Sequence, residues 1–249
     1  MSRDKKDIDG TLDDFRKQVL RWNDQINLVS RQDTAKRLDG LIQQCRAGWD
    51  RLSAPGASDL ATATRIWYFD LGSGAGLPGI VWHVQMAAAG HSVRTILVEP
   101  RDKRAWFLER MAYLVGSESL HVLANRWGET GIDDLESTHP EPPPSHVLIS
   151  LKALHLPDSA VLEGLAPFLE VAKNPRTAAE SDTVILVARF YPPDEKWSED
   201  LAEALNILPE GQECSVSSYV FRSEGGSVLQ LATLPGASLV LSRYRIQAR

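Results

Sequence analysis

Leu12, Phe15, Val19, Trp22 and Ile26 recur at steps of three and four residues, the spacing of one apolar face of an α-helix. Thr11, with Asp14 three residues on, supplies a weak capping-box pattern at its start. A second helix is predicted over about 34–52, and the stretch SAPGASDLATAT (53–64) then carries the small and turn-forming residues of a linker. From Arg65 onward the pattern changes. Short, nearly continuous apolar runs, RIWYFDL, RTILVEP, SLHVLAN, HVLISLKAL and TVILVARF, are separated by helical patterns at about 78–90, 102–116 and 158–173. Strands apolar on both faces and alternating with helices predict a parallel sheet covered on both sides.

The C-terminal part breaks this alternation. After a helix predicted near 194–207, CSVSSYVF (214–221) and SVLQLATL (227–234) are separated only by RSEGG, too short for a parallel crossover, so an antiparallel pair is predicted. Five parallel strands closed by an antiparallel pair imply an α/β fold with a class I methyltransferase (Rossmann-like) sheet. The predicted division is an N-terminal helical extension, 1–60, and a sheet domain, 61–249. HPEPPPSH (139–146) reads as a proline-rich loop before the fourth strand, and Trp22 and Trp106 read as core residues.

Composition narrows the chemistry. No apolar run approaches the roughly 18 residues of a membrane span, and the charged start MSRDKKDIDG lacks the apolar segment of a secretory signal. Cys45 and Cys214 stand alone and the six histidines are scattered, so a reducing cytoplasmic setting and no metal are expected. The net charge of −6 argues against a general nucleic-acid binder, but it is unevenly spread. Residues 1–52 carry +2, residues 236–249 carry +3 and the middle carries −11, so a polyanion would more readily meet the ends.

The chemistry concentrates in FDLGSGAGLPG (69–79), directly after the first apolar run. Read from Gly74 it spells G-x-G-x-x-G, the dinucleotide fingerprint. A pyrophosphate at such a turn wants a positive helix end and no nearby carboxylate, yet Asp70 ends the strand two residues before Gly72. Its charge would favour instead the sulfonium and ammonium groups of S-adenosyl-L-methionine. Glu99 closes the second strand, placed to accept from ribose hydroxyls, a feature common to both ligands. A glycine turn with a structural role alone is the third reading.

These residues resemble one family, the bacterial small-subunit (16S) ribosomal RNA guanine-N7 methyltransferases, also called the glucose-inhibited division protein B family. WNDQINLVS (22–30) is similar to its W-N-x-x-I-N-L segment, DLGSGAGLPGI (70–80) to its glycine loop with Pro-Gly, and VEPRDKRAWFLERMAYLVG (98–116) to the segment in which an acid precedes K-[KR] and an F-L pair. The chain is identified as a divergent member. GLIQQC (40–45) stands where an H-[IL]-x-D-S motif is usual, NRWGET (125–130) replaces G-R-[AV]-E-[ED], and SLKAL (150–154) puts Lys152 in place of an arginine, which loses the planar fork.

The resemblance implies S-adenosyl-L-methionine as cofactor and small-subunit ribosomal RNA or the 30S subunit as partner; a cytoplasmic monomer with no membrane and no metal is expected beside it. It implies a cofactor site of Asp70, Gly72, Gly74, Leu77, Glu99, Trp127, Gly128 and Lys152. There Trp127 either stacks on adenine or packs under a loop, and Lys152 lies near a substrate phosphate or the cofactor rim. Guanine N7 carries a lone pair and no proton, so no proton-transferring catalyst is assigned, although His155 lies just beyond Lys152. Methyl transfer to a small molecule or protein, and a non-catalytic descendant binding the ribosome or an adenosine ligand, stay open as alternatives.

Overall fold

The computed structural model describes residues 8–129, 144–172, 183–191, 207, 211–216, 219–224, 229–234 and 236–248. Two helices, α1 (Ile8–Ile26) and α2 (Thr34–Leu52), precede a 3-10 turn, Asp59–Thr62. There follow β1 (Arg65–Leu71), α3 (Gly79–Ala88), β2 (Ser92–Val98), α4 (Asp102–Val115), β3 (Leu120–Leu123), β4 (His146–Lys152), α5 (Asp158–Ala172) and β5 (Val184–Tyr191). The C-terminal part holds β6 (Glu213–Val216), β7 (Tyr219–Ser223), β8 (Leu229–Leu234) and β9 (Ala237–Ala248).

These strands form one sheet in the order β3-β2-β1-β4-β5-β9-β7-β6, with β8 also on β9. The first five are parallel. Successive strand side chains point to opposite faces, and the burial divides accordingly. Ile66, Tyr68, Leu97, Leu148 and Leu186 share one core with residues of α1 to α4, while Phe69, Val98, Ile149 and Val187 share the other with α5. Strand order reverses at β1, between β2 and β4, and the crevice at their carboxyl ends is where open α/β sheets bind ligands.

The C-terminal closure is antiparallel, but its pairing differs from the simple hairpin predicted for 214–221 and 227–234. CSVSSYVF folds back on itself, with Cys214 opposite Phe221 and Val216 opposite Tyr219. Both β7 and β8 then pair with β9, a twelve-residue strand running antiparallel beside β5. β8 takes residues 237–241 of β9 and β7 takes 244–248, so the long strand serves both along different parts of its length and neither needs the other. The helix predicted near 194–207, apart from Ile207, and most of the loop 139–146 lie outside the described residues.

The N-terminal helices are built into the sheet's first face. Trp82 of α3 is fully buried, and its indole Nε1 donates to the Cys45 carbonyl inside α2 (2.7 Å). Gly48, one turn on, lets that helix approach, since a Cβ there would lie 3.2 Å from Phe190 and 3.3 Å from Trp82. Trp22 is half-buried against this core. Trp106, expected inside, is 41% exposed, because α4 turns Ala105, Phe107, Leu108 and Met111 inward and leaves position 106 outside that stripe.

Trp82→Phe keeps most of the ring volume but removes the donor to Cys45. Its urea unfolding should show a loss of about 1 kcal/mol, the net worth of one intramolecular hydrogen bond, since the Cys45 carbonyl keeps its helical donor. An unchanged midpoint would mean that this bond does not hold α2 to α3.

Candidate active site

The chain leaves β1 through a loop whose backbone is tied to β2. Gly72 and Ser73 N–H groups both donate to the Val98 carbonyl (2.8 and 3.0 Å), and Gly76 N–H donates to Ser73 O (2.7 Å). Gly72, Gly74 and Gly76 have φ of 70°, 56° and 90°. The Gly74 N–H donates to Glu99 Oε2 (2.9 Å), while Arg101 N–H donates to Oε1 of the same carboxylate (3.1 Å). Glu99 is 3% exposed. Each of its oxygens therefore holds one backbone donor and keeps a lone pair for another, since an ionised carboxylate offers about four acceptor sites.

Asp70 sits behind this loop, 1% exposed. Ser150 Oγ donates to its Oδ1 (2.6 Å), the Gly79 N–H donates to its Oδ2 (3.1 Å), and the Tyr68 hydroxyl lies 2.9 Å from Ser150 Oγ. The sheet register produces this contact, because Asp70 of β1 and Ser150 of β4 are direct partners. Only glycine fits at 79: a Cβ there would fall 2.4 Å from Leu97 Cδ2 and 2.6 Å from Asp70 Oδ2. Burial pushes the Asp70 carboxyl up to about 6, against the opposing effects of Ser150, Ser73, Gly79 N–H and the Lys152 charge.

The remaining sequence-nominated residues follow the carboxyl ends of the strands. Leu77 joins the core beside Ala75 and Ile80. Lys152 ends β4, partly exposed and opposite Phe190. Gly128 lies beyond β3 at φ 87°, with no atom within 4 Å of the place its Cβ would take. Trp127 is held in the second core, where its Nε1 donates to Val161 O (3.1 Å). Its ring stacks on Phe168 at 5.6 Å and 10°, and it fills a notch that Gly164 leaves in α5. Asp70, Gly72, Gly74 and Glu99 are thus joined directly or through β2, while Trp127 spends its indole on packing and leaves Gly128 as the open position of that pair.

Two groups at the site carry more than the sequence reading gave them. Ser150 was legible as a lone hydroxyl in the apolar run HVLISL. Arg104 of α4 donates through Nη2 to the Asn27 carbonyl (2.9 Å), and its Nη1 lies 3.7 Å from the Cβ position of Gly74. Burial, and then Arg101, lower its pKa, with Glu99 opposing. Asn27 reaches this place because the chain turns at φ 57° there, while buried Asn23 accepts from Val29 N–H through Oδ1 (2.8 Å). The segment WNDQINLVS is therefore part of the site's wall. His155 is exposed, its ring 6.1 Å from that of Tyr191.

A carboxyl whose pKa is raised by folding keeps its proton to a higher pH in the native state than in the unfolded chain. Its contribution to stability is therefore complete below about pH 4 and declines as pH rises through about 6. Asp158, raised to about 6 mainly by burial, adds to the same window. In Asp70→Asn the slope of unfolding free energy against pH between 4 and 7 should become shallower than in the wild type. Equal slopes would contradict the burial of this acid.

A family model described as rRNA small subunit methyltransferase G (GidB) matches residues 9–140, more than half of the chain. Among curated relatives, ribosomal RNA small subunit methyltransferase G of Cereibacter sphaeroides is 36% identical over 155 residues, 60% of this chain and 64% of that protein. The protein of the same name from Bordetella pertussis is 29% identical over 223 residues, 84% of this chain and 82% of that protein. The chain thus spans somewhat under two thirds of the first of these relatives and most of the second. A solved rRNA methylase from Streptococcus thermophilus is 13% identical with a TM-score of 0.43, over 80% of this chain and 94% of that one, a likeness too distant to bear on function. By the match over residues 9–140, which runs from α1 through the glycine loop and β3, the chain belongs to the GidB family of small-subunit rRNA methyltransferases.

Proposed function

We propose that this protein transfers a methyl group from S-adenosyl-L-methionine to guanine N7 of small-subunit ribosomal RNA, as a cytoplasmic monomer acting on the RNA or the 30S subunit. The observation that carries the choice of cofactor is the N-terminus of α3. A dinucleotide pyrophosphate needs free N–H groups at that helix end. Here the Gly79 N–H is already taken by Asp70 and the Gly74 N–H by Glu99. Two buried carboxylates therefore flank the loop, an environment hostile to phosphate and suited to a diol and a cation.

Glu99 would take the ribose hydroxyls on the lone pairs its two backbone donors leave free. The backbone of 72–77 would border the methionine portion, with Leu77 packed below. Gly128 would border the adenine. Asp70 would act from behind the loop through its field, with Lys152 at the rim toward the substrate phosphate. When bound, adenosylmethionine supplies a methyl group on a positively charged sulfur. The chain's task is then orientation, since N7 needs no proton removed before it attacks, and holding reactants in line is a large part of such a barrier. The extension 1–60 would serve the domain 61–249 by supplying Asn27, whose carbonyl holds Arg104 of α4 at the site's wall.

Radiolabelled adenosylmethionine and undermodified 30S subunits should yield label in the RNA as N7-methylguanosine. Absence of label beside a working control enzyme would reject the assignment. Glu99→Gln tests the cofactor site separately. An amide offers one acceptor oxygen where two backbone N–H groups need two, so the loop loses a bond. Adenosylhomocysteine affinity, read by calorimetry, should fall about tenfold or more, the cost of one unpaired buried donor. Unchanged affinity would place the ribose elsewhere.

A further inference from the structure

The α1 and α4 surface carries a cluster of aromatic rings and guanidinium groups outside the residues assigned to the cofactor. Trp22 and Trp106 meet edge to face, their centroids 4.9 Å apart at 77°. The Arg110 guanidinium lies 5.6 Å from the Trp22 ring and 5.1 Å from the Trp106 ring, and that of Arg21 lies 5.8 Å from Trp22. Trp106, Arg110 and Tyr113 share one face of α4 by their four- and three-residue spacing. Trp106 is 41% and Tyr113 90% exposed, and these are the exposed large apolar side chains among the described residues.

Three other cations of α1 and α2 have acidic partners: Arg16 with Asp39, Lys17 with Asp13, Arg46 with Asp9. Among the described residues Arg21 and Arg110 have aromatic partners and no carboxylate. A guanidinium stacked on rings keeps its N–H donors in plane and available. Open π faces beside uncompensated cations suit a chain of bases and phosphates, whereas a protein partner would ask for carboxylates to be placed against them. The cluster shares its elements with the site's wall: Trp106 and Arg104 are both on α4, and Trp22 opens the segment WNDQINLVS that holds Asn27.

We propose that Arg21, Trp22, Trp106, Arg110 and Tyr113 form a docking surface for an unpaired stretch of RNA. Bases stack on Trp106 and Tyr113, and the backbone phosphates are held by Arg110 and Arg21. Trp22 is the platform that fixes both guanidiniums. This rests on the reading that the substrate is RNA, and it adds how the strand outside the methylated guanine is held.

Anisotropy with a labelled, unstructured oligoribonucleotide of about twelve nucleotides, and with a duplex of the same length, reads the surface directly. The wild type should bind the single strand more tightly. Trp106→Ala and Tyr113→Ala should each weaken it by about five- to a hundredfold, the range that one base-on-ring stack is worth. Arg110→Ala should weaken binding and lower the slope of log affinity against log salt by about one. Tyr113 is nearly fully exposed, so its variant tests stacking even if loss of Trp106 disturbs the fold, and adenosylhomocysteine binding should stay unchanged in all three. Unaltered oligonucleotide affinity and salt slope throughout would overturn the proposal. So would weakened binding to 30S subunits with unaltered oligonucleotide binding, which would mean a ribosomal protein is the occupant. If the wild type binds the strand, the variants lose it, and no methyl reaches 30S RNA, the docking surface stands and the methyl-transfer reading falls.

Discussion

A carboxylate buried between a serine hydroxyl and the first N–H of a helix is the contact on which the site's geometry depends. Asp70 can occupy that place because its register partner on β4 is Ser150 and because residue 79 has no side chain. One residue thereby joins two strands at the point where strand order reverses, fixes where α3 begins, and consumes the donor that a phosphate would need. Its pKa, raised by burial to about 6, is the energetic trace of the same arrangement. Glu99 repeats the logic on the neighbouring strand by holding the Gly74 and Arg101 N–H groups. The glycine loop is thus shaped by acids, although its sequence spells a fingerprint associated with phosphate.

That distinction was legible in part. Asp70 two residues before Gly72 was enough to turn the reading from a dinucleotide toward a cationic cofactor, and the five parallel strands announced themselves because strands buried on both faces are written as unbroken apolar runs. The cost of burying Asp70 and the identity of its partners were not legible. Ser150 lies 80 residues away in the chain and meets Asp70 only through strand pairing. Arg104 and Asn27, 77 residues apart, meet only because α1 lies against α4.

The misjudged elements share a physical cause. β9 mixes apolar residues with Ser238, Ser242, Arg243 and Arg245, and its three neighbours reach it from different parts of the chain, so no local period marks it. Trp106 looked like core because tryptophan usually is, yet the inward residues of α4 define a stripe that excludes it. The same misplacement made the surface informative. An indole left outside the stripe, with the Arg110 guanidinium at its ring and no carboxylate on that guanidinium among the described residues, is a feature that core packing does not explain.

Equilibrium binding of S-adenosyl-L-homocysteine and NAD to the same preparation, read by calorimetry, addresses the role assigned to Asp70 and Glu99 most directly. Saturable binding of adenosylhomocysteine with no detectable heat from NAD is the predicted result. Binding of NAD at comparable affinity would contradict it, because the loop would then accept the pyrophosphate that its two carboxylates are argued to refuse.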